Sequence, residues 1–566
     1  MAPPCLDEIR RGGGCQRLLG RSSPSGGTLK IRKLSRITAF AAVGALALTA
    51  CGSSDEGGSD DSSSTSDNVF TIAYNADGGH QAWVDATTNS IKNTLGINAE
   101  GQPYATFKEL RSDITERKMT GAFRTGWQAD YPSLFNFLGP IYGTGAGSND
   151  GDYTNPEFDD LLKQGQAAAS IEDANVFFDQ AQEVLFKDLP AIPLWYSNVT
   201  GGSSESVANV EFDWKSVPAY QAITKEDGTP VLANGSEPQN PLVPTNTNET
   251  GGGRILDLIF QGLVSYETDG SVVNELAESI ETEDNQLYTI KIKGGTTFTN
   301  GEPVTATSFV DAWKYGALLS NAQLSSYFFE SIEGFSYDAD AELTGLTVVD
   351  DTTFTVKLKQ PEADFPLRLG YSAYMPLPAS AFADLAAFGE NPVGNGPYKV
   401  APGSWQHNVS IELVPNEEYS GPREAANSGV KFTFYESQDA AYNDLLANNL
   451  DVLDAVPDSA FGTYEKDLGD RAVNQPSAVF QSFTIAQNLE HFEGEEGNLR
   501  RQAISMAIDR EAITETIFMG TRTPAKDFTS PTIDGWNDSL TGSDVLAYNP
   551  EKAKELWEQA NEISEW

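Results

Sequence analysis

One short apolar run constrains this chain more than any other feature. Ile37 to Leu48 is mostly Ala, Leu and Val, follows the basic residues Lys30, Arg32, Lys33 and Arg36, and closes on Leu48-Thr49-Ala50-Cys51. A basic start, an apolar middle and small residues at the cut are the parts of a secretory signal. Its twelve residues are too few for a membrane span. No later run reaches spanning length, so the rest is expected to fold in water, outside the cytoplasm. Of the three cysteines, Cys5 and Cys15 leave with residues 1–50 and Cys51 alone remains. Without an internal disulfide, stability has to come from a buried core. Residues 1–29 fit no targeting pattern and read as an over-extended gene start.

The Leu48–Cys51 segment resembles a bacterial lipobox. That resemblance implies that Cys51 is diacylated and anchors the protein to the outer face of the cytoplasmic membrane. Residues 51–68, acidic and rich in Ser and Gly, read as a flexible tether. The chain has 37 Lys and Arg against 81 Asp and Glu, a net charge of −44. Removing residues 1–50 takes away eight basic and two acidic residues and leaves −50. So negative a surface repels phosphates, which excludes a nucleic-acid binder. Aromatic content of 10 % separates it from a disordered acidic tail. His80, His407 and His491 are far apart in polar stretches and read as solvated, so no metal or other cofactor is expected. Carboxylate sites for calcium stay open in so acidic a chain, although no EF-hand-like loop is present.

Patterning predicts an α/β mixture. Val69–Tyr74 reads as a buried strand, and Gln81–Leu95 as a helix stopped by Gly96. Glu157–Ala168 and Val176–Phe186 read as helices, the second preceded by the capping pattern Ser170-x-x-Asp173. Tyr288–Lys293 and Thr353–Lys359 alternate as half-exposed strands. Asn498–Met519 reads as one buried helix, and Asn549-Pro550 opens a last one.

Five segments carry a more specific signal. Phe298-Thr-Asn-Gly-Glu-Pro-Val-Thr-Ala306, Asn391-Pro-Val-Gly-Asn-Gly-Pro-Tyr398, Arg501-Gln-Ala-Ile-Ser-Met-Ala-Ile-Asp-Arg510, Gly126-Trp-Gln-Ala-Asp-Tyr-Pro132 and Asp188-Leu-Pro-Ala-Ile-Pro-Leu194 each resemble a motif of the peptide- and nickel-type solute-binding proteins of ABC importers. Their order departs from that family. The family chain begins with a segment like Leu242–Glu278 and ends with the Asp-Tyr and Ile-Pro-Leu motifs, which here come first. Placing Trp566 before Asn68 restores the order, so a circular permutation is inferred, with the old termini fused near residues 225–235; an engineered or a wrongly spliced chain would show the same order.

The resemblance implies two α/β lobes, a hinge and a ligand cleft between them, a periplasmic-binding-protein-like fold. Residues 198–430 are expected to form the larger lobe. Residues 69–197 and 431–566 jointly form the second, and the hinge is crossed near Asn198 and Val430. A short peptide carries an ammonium and a carboxylate, and each needs an opposite charge when buried. By resemblance, Asp130 takes the ammonium and Arg124 the carboxylate, while Trp127 and Tyr104 wall side-chain pockets. Arg111, Arg117, Asn248 and Glu249 are weaker candidates, and Ser477–Asn488 is expected to offer strand-edge backbone to the peptide.

The implied function is a monomeric, lipid-anchored receptor that hands short peptides to an ABC permease with its ATPase, without catalysis. The alternatives are the same fold holding a nickel chelate, haem or oligosaccharide, a non-transport surface adhesin or signalling receptor, or an extracellular glycosidase. No carboxylate pair stands out for the last, and no G-x-S-x-G, H-E-x-x-H or P-loop is present.

Overall fold

The computed structural model describes residues 68–566 apart from Thr106. The signal segment, Cys51 and the tether lie outside the described residues. Two separate hydrophobic cores organise the described chain.

The first core surrounds a six-stranded sheet in the order Asn98–Tyr104, Val69–Asn75, Ala122–Gln128, Gln475–Thr484, Ala191–Val199 and Arg522–Pro524. Early and late parts of the chain thus build one sheet. The first three strands run parallel, and Gln475–Thr484 inserts antiparallel to both its neighbours. Helices Gln81–Leu95, Gly494–Met506 and Pro550–Ile563 pack together beside it. Trp83, Trp195, Phe480 and Ile504 fill the core. Gly96 closes the first helix in the left-handed conformation at φ 73°, which a side chain would disfavour. Ser170 caps helix Ile171–Asp188 by accepting from the Asp173 N–H, and Asn549 caps the last helix.

The second core lies under another six-stranded sheet, ordered Tyr398–Val400, Ser410–Pro415, Val430–Phe434, Val231–Gly235, Val452–Leu453 and Gly202–Ser203. It extends beneath a four-stranded antiparallel sheet, Ala277–Thr282, Leu287–Ile292, Thr353–Lys357 and Leu346–Asp350. In this sheet buried and exposed residues alternate along Leu287–Ile292, the period-two pattern of the sequence.

The chain passes between the two large sheets twice. One passage runs from Val199 to Gly202. The other lies between Ala472 and Gln475 rather than near Val430, because Val430–Phe434 pairs along its whole length with Val231–Gly235. The two passages touch: the Val473 N–H donates to the Gly201 carbonyl at 3.0 Å, and Asn198 Nδ2 donates to Asn474 Oδ1 at 2.8 Å. The single helix expected over Asn498–Met519 is two, Gly494–Met506 and Arg510–Thr516. Asp509 breaks it, since its carboxylate caps the second helix through the Ala512 N–H at 3.0 Å.

Four of the five motifs turn out to be joints. Buried Arg510 donates to the Pro193 carbonyl at 2.8 Å and to the Leu546 carbonyl at 2.6 Å, tying the Ile-Asp-Arg helix to the Ile-Pro-Leu strand. Arg501 donates to the Asp188 carbonyl at 2.5 Å. The Thr299 N–H meets the Gly394 carbonyl at 2.8 Å. Gly394 must be glycine for close approach: a Cβ there would lie 1.9 Å from the Ile259 carbonyl oxygen. Residues 68 and 566 meet at His491. Asn68 Nδ2 lies 3.5 Å from its Nε2, and the Trp566 ring 5.3 Å from its ring.

Candidate ligand-binding cleft

Asp130 stands just beyond the strand Ala122–Gln128, where the chain leaves the first sheet. The next residue, Tyr131, is buried in the other lobe's core, with the Arg368 guanidinium 5.2 Å over its ring. Asp130 is thereby held at the junction of the lobes. Asn136, buried on the helix Leu134–Tyr142, accepts the Asp130 backbone N–H at 3.0 Å and the Trp127 indole N–H at 3.1 Å. From the larger lobe come Lys215, whose positive charge bears on Asp130, and Tyr327 and Tyr371, whose ionisation the Asp130 charge opposes. Burial pushes the Asp130 carboxyl up to about 6, opposed by the Asn136 hydrogen bond and the Lys215 charge. No cation stands at ion-pair distance from Asp130 among the described residues. A fixed, half-buried carboxylate without a counter-charge is prepared for a ligand's cation.

Beside it opens a cavity of about 630 Å³ between the lobes, a volume typical of small-ligand sites. Gln128, Ser477 and Arg522 line it from the lobe of the first sheet, and Lys215, Arg254 and Asp454 from that of the second sheet. Arg254 and Asp454 form a mostly buried ion pair.

Arg124 lies on the same strand, on the face shared with Gly126 and Gln128, whereas Trp127 is on the opposite face. Gly126 leaves that face open, since a Cβ would come within 3.3 Å of Arg124 Nη2. Arg124 donates to Asn75 Oδ1 at 3.2 Å and sits 5.6 Å from the Phe107 ring centre. Its Nε is buried without an acceptor, and burial and neighbouring Arg111 lower its pKa. A buried cation with a spare donor is suited to an anion. Fully extended, the six residues from Arg124 to Asp130 would span at most ~20 Å.

The remaining candidates have partners of their own. Arg111 pairs with Asp150 at 2.5 Å, and Arg117 with Asp152 at 2.9 Å, fastening the helix Phe107–Thr115 to residues 149–152. The Tyr104 hydroxyl meets Met119 Sδ at 3.9 Å on the outermost strand, packed with Phe123 and away from Trp127. Trp127 packs on the first core. Glu249 caps the helix Thr250–Ile259 through the Gly251 and Gly252 N–H groups at 2.7 and 2.9 Å, which occupies the carboxylate. Asn248 is exposed beside it. Phe480–Thr484 is not an edge, being hydrogen-bonded to Ala122–Gln128 on one side and Ala191–Val199 on the other, whereas Ser477 and Val479, at a break in the pairing with Ala191–Val199, line the cavity. Lys215, Tyr327, Tyr371, Arg254 and Arg522 were not legible as site residues, because their relevance depends on the facing lobe. His407 is held between Glu237 at 2.7 Å and Glu390 at 3.1 Å, and His491 lies 2.9 Å from Glu496. Among the described residues no cluster of three or more His, Cys, Asp or Glu could hold a metal ion, and no helix is long and apolar enough to cross a membrane.

Comparison with known proteins bears on this cleft. The family model described as bacterial extracellular solute-binding proteins, family 5 Middle, matches residues 271–564. The chain is 27 % identical over 320 residues to the oligopeptide-binding protein OppA of Bacillus subtilis (strain 168), covering 53 % of this chain and 56 % of that one. It is 30 % identical over 322 residues to the dipeptide-binding protein DppE of the same strain, covering 54 % and 56 %. The chain thus spans a little over half the length of these curated relatives. The solved Escherichia coli murein tripeptide binding protein MppA aligns with a TM-score of 0.45 at 22 % identity, over 58 % of this chain and 66 % of that one.

Proposed function

The chain belongs to family 5 of the bacterial extracellular solute-binding proteins, and on that premise we propose that it captures short peptides between its lobes and passes them to an ABC import permease. The observation that carries this is Asp130, a carboxylate fixed by Asn136 at the lobe junction with no cation paired to it among the described residues. In this reading it receives the peptide α-ammonium. Arg124, with its spare buried donor, receives a carboxylate at the other end. The relatives named for oligopeptides and dipeptides support the ligand class. The protein works as a monomer outside the cytoplasm, held by lipid on Cys51, and catalyses nothing.

The motif order supports a circular permutation of the family chain, and so does the meeting of Asn68 and Trp566 at His491. The fused old termini would fall near the exposed turn 226–229.

Calorimetry with tetra-alanine and its N-acetylated form tests the ligand assignment. Acetylation removes the ammonium and is expected to abolish binding. Equal affinity for both forms would mean that Asp130 does not receive the α-ammonium.

A further inference from the structure

On the wall of the cavity beside Asp130, Arg522 lies against two aromatic rings. Its guanidinium lies 5.1 Å from the Phe518 ring centre and 5.8 Å from that of Phe461. One nitrogen, Nη1, donates to the Thr521 carbonyl at 2.6 Å. No ion pair holds it among the described residues, although Asp458, also on the cavity wall, is near enough for its charge to be felt. Arg522 helps to line the cavity. An arginine on a cavity wall, held against two rings and anchored through Nη1 with no carboxylate paired to it among the described residues, is suited to bind a ligand's carboxylate bidentately.

We infer that Arg522 forms a carboxylate subsite of the interlobe cavity, separate from Arg124; this rests on the peptide assignment above. The sheet sets its distance from the ammonium site. Ala122–Gln128, Gln475–Thr484, Ala191–Val199 and Arg522–Pro524 are successive neighbours. Three strand spacings of ~4.8 Å separate Gln128 from Arg522, roughly 14 Å, about the span of four extended residues. A peptide with its ammonium at Asp130 and its chain crossing the strand ends therefore brings a carboxylate near its fourth residue to Arg522. That group is the C-terminus of a tetrapeptide or an acidic side chain of a longer peptide whose terminus continues elsewhere.

Calorimetry on the wild type, Arg522→Gln and Arg522→Lys with four probes separates these sources. The probes are tetra-alanine, its C-terminal amide, and two hexapeptide amides of alanine bearing Glu or Gln at position four. In at least one pair the wild type is expected to favour the carboxylate by about ten- to a hundred-fold, the range of a hydrogen bond to a charged group. The pair that shows it identifies the source. Arg522→Gln should erase the preference, and a cooperative thermal transition shows that it is folded. Arg522→Lys keeps the charge without the fork and should retain only part of the preference. If Arg522→Gln does not fold, full preference in Arg522→Lys overturns the subsite. So does an unchanged preference in Arg522→Gln, or none in the wild type, when peptides bind. Failure of all four probes to bind the wild type instead overturns the peptide assignment on which the subsite rests.

Discussion

The side-chain oxygen of Asn136 accepts the backbone N–H of Asp130 at 3.0 Å, and the two residues lie on different elements. The same oxygen takes the Trp127 indole N–H. One buried amide therefore sets the direction of the carboxylate and of the aromatic ring before it. Asn136→Ala leaves both donors without their acceptor. It is expected to destabilise the protein by about 1–3 kcal/mol and to weaken peptide binding with Asp130 chemically intact. Calorimetry and chemical denaturation on the same variant read the two effects. Unchanged affinity would mean that Asp130 needs no support from Asn136.

The raised pKa of Asp130 gives binding a pH dependence of known sign. An ammonium pairs with the ionised form, so affinity should be highest near pH 7 and should fall above about pH 8 as the peptide α-amine loses its proton. Below about 6 it should fall by up to tenfold per unit as Asp130 takes up a proton. Stability runs the other way. The folded value of about 6 lies above the unfolded 3.8, so the carboxylate is penalised above pH 6 and the penalty vanishes below 3.8. Asp130→Asn should thus gain about 1–3 kcal/mol at pH 7, gain nothing below pH 4, and lose peptide binding. Thermal melting at both pH values with calorimetry at pH 7 checks all three.

Arg510 joins three elements through buried backbone carbonyls. Arg510→Ala strips donors from Pro193 and Leu546. A cost of about 3 kcal/mol or more is expected, measured by chemical denaturation, since each orphaned buried carbonyl costs about 1–3 kcal/mol. A near-neutral result would mean that the removed charge had cost as much as its hydrogen bonds returned.

If the chain is a permuted form of its family, joining Trp566 to Asn68 through a short linker and opening the turn at 226–229 should leave cooperative unfolding and peptide affinity unchanged. Asn68 and Trp566 already share His491, and the opened turn is exposed. Loss of the cooperative transition would count against the permutation.

Cys51→Ala should move the protein from the membrane fraction to the soluble one after export. Membrane retention of that variant would rule out the lipid anchor.

Local chemistry explains why some of this could be read from the chain and some could not. The Asn549-Pro550 start, the Gly96 stop and the alternation in Leu287–Ile292 are set by neighbours in sequence, so they were legible. Asp509 misled because a capping aspartate inside an apolar pattern looks like one more helical residue. The second hinge passage was misplaced because the pairing of Val430 with Val231 spans about two hundred residues of separation. Asp130 and Arg124 are candidates named from their motif. The local partners that neutralise Arg111, Arg117 and Glu249 appear only on folding, as does the facing lobe's contribution of Lys215 and Tyr327.

Native mass spectrometry of the protein as purified addresses the central claim most directly. A distribution of added masses that fragment to short peptides, lost in Asp130→Ala, is the expected result. A single added mass belonging to a metal chelate, haem or oligosaccharide would contradict it.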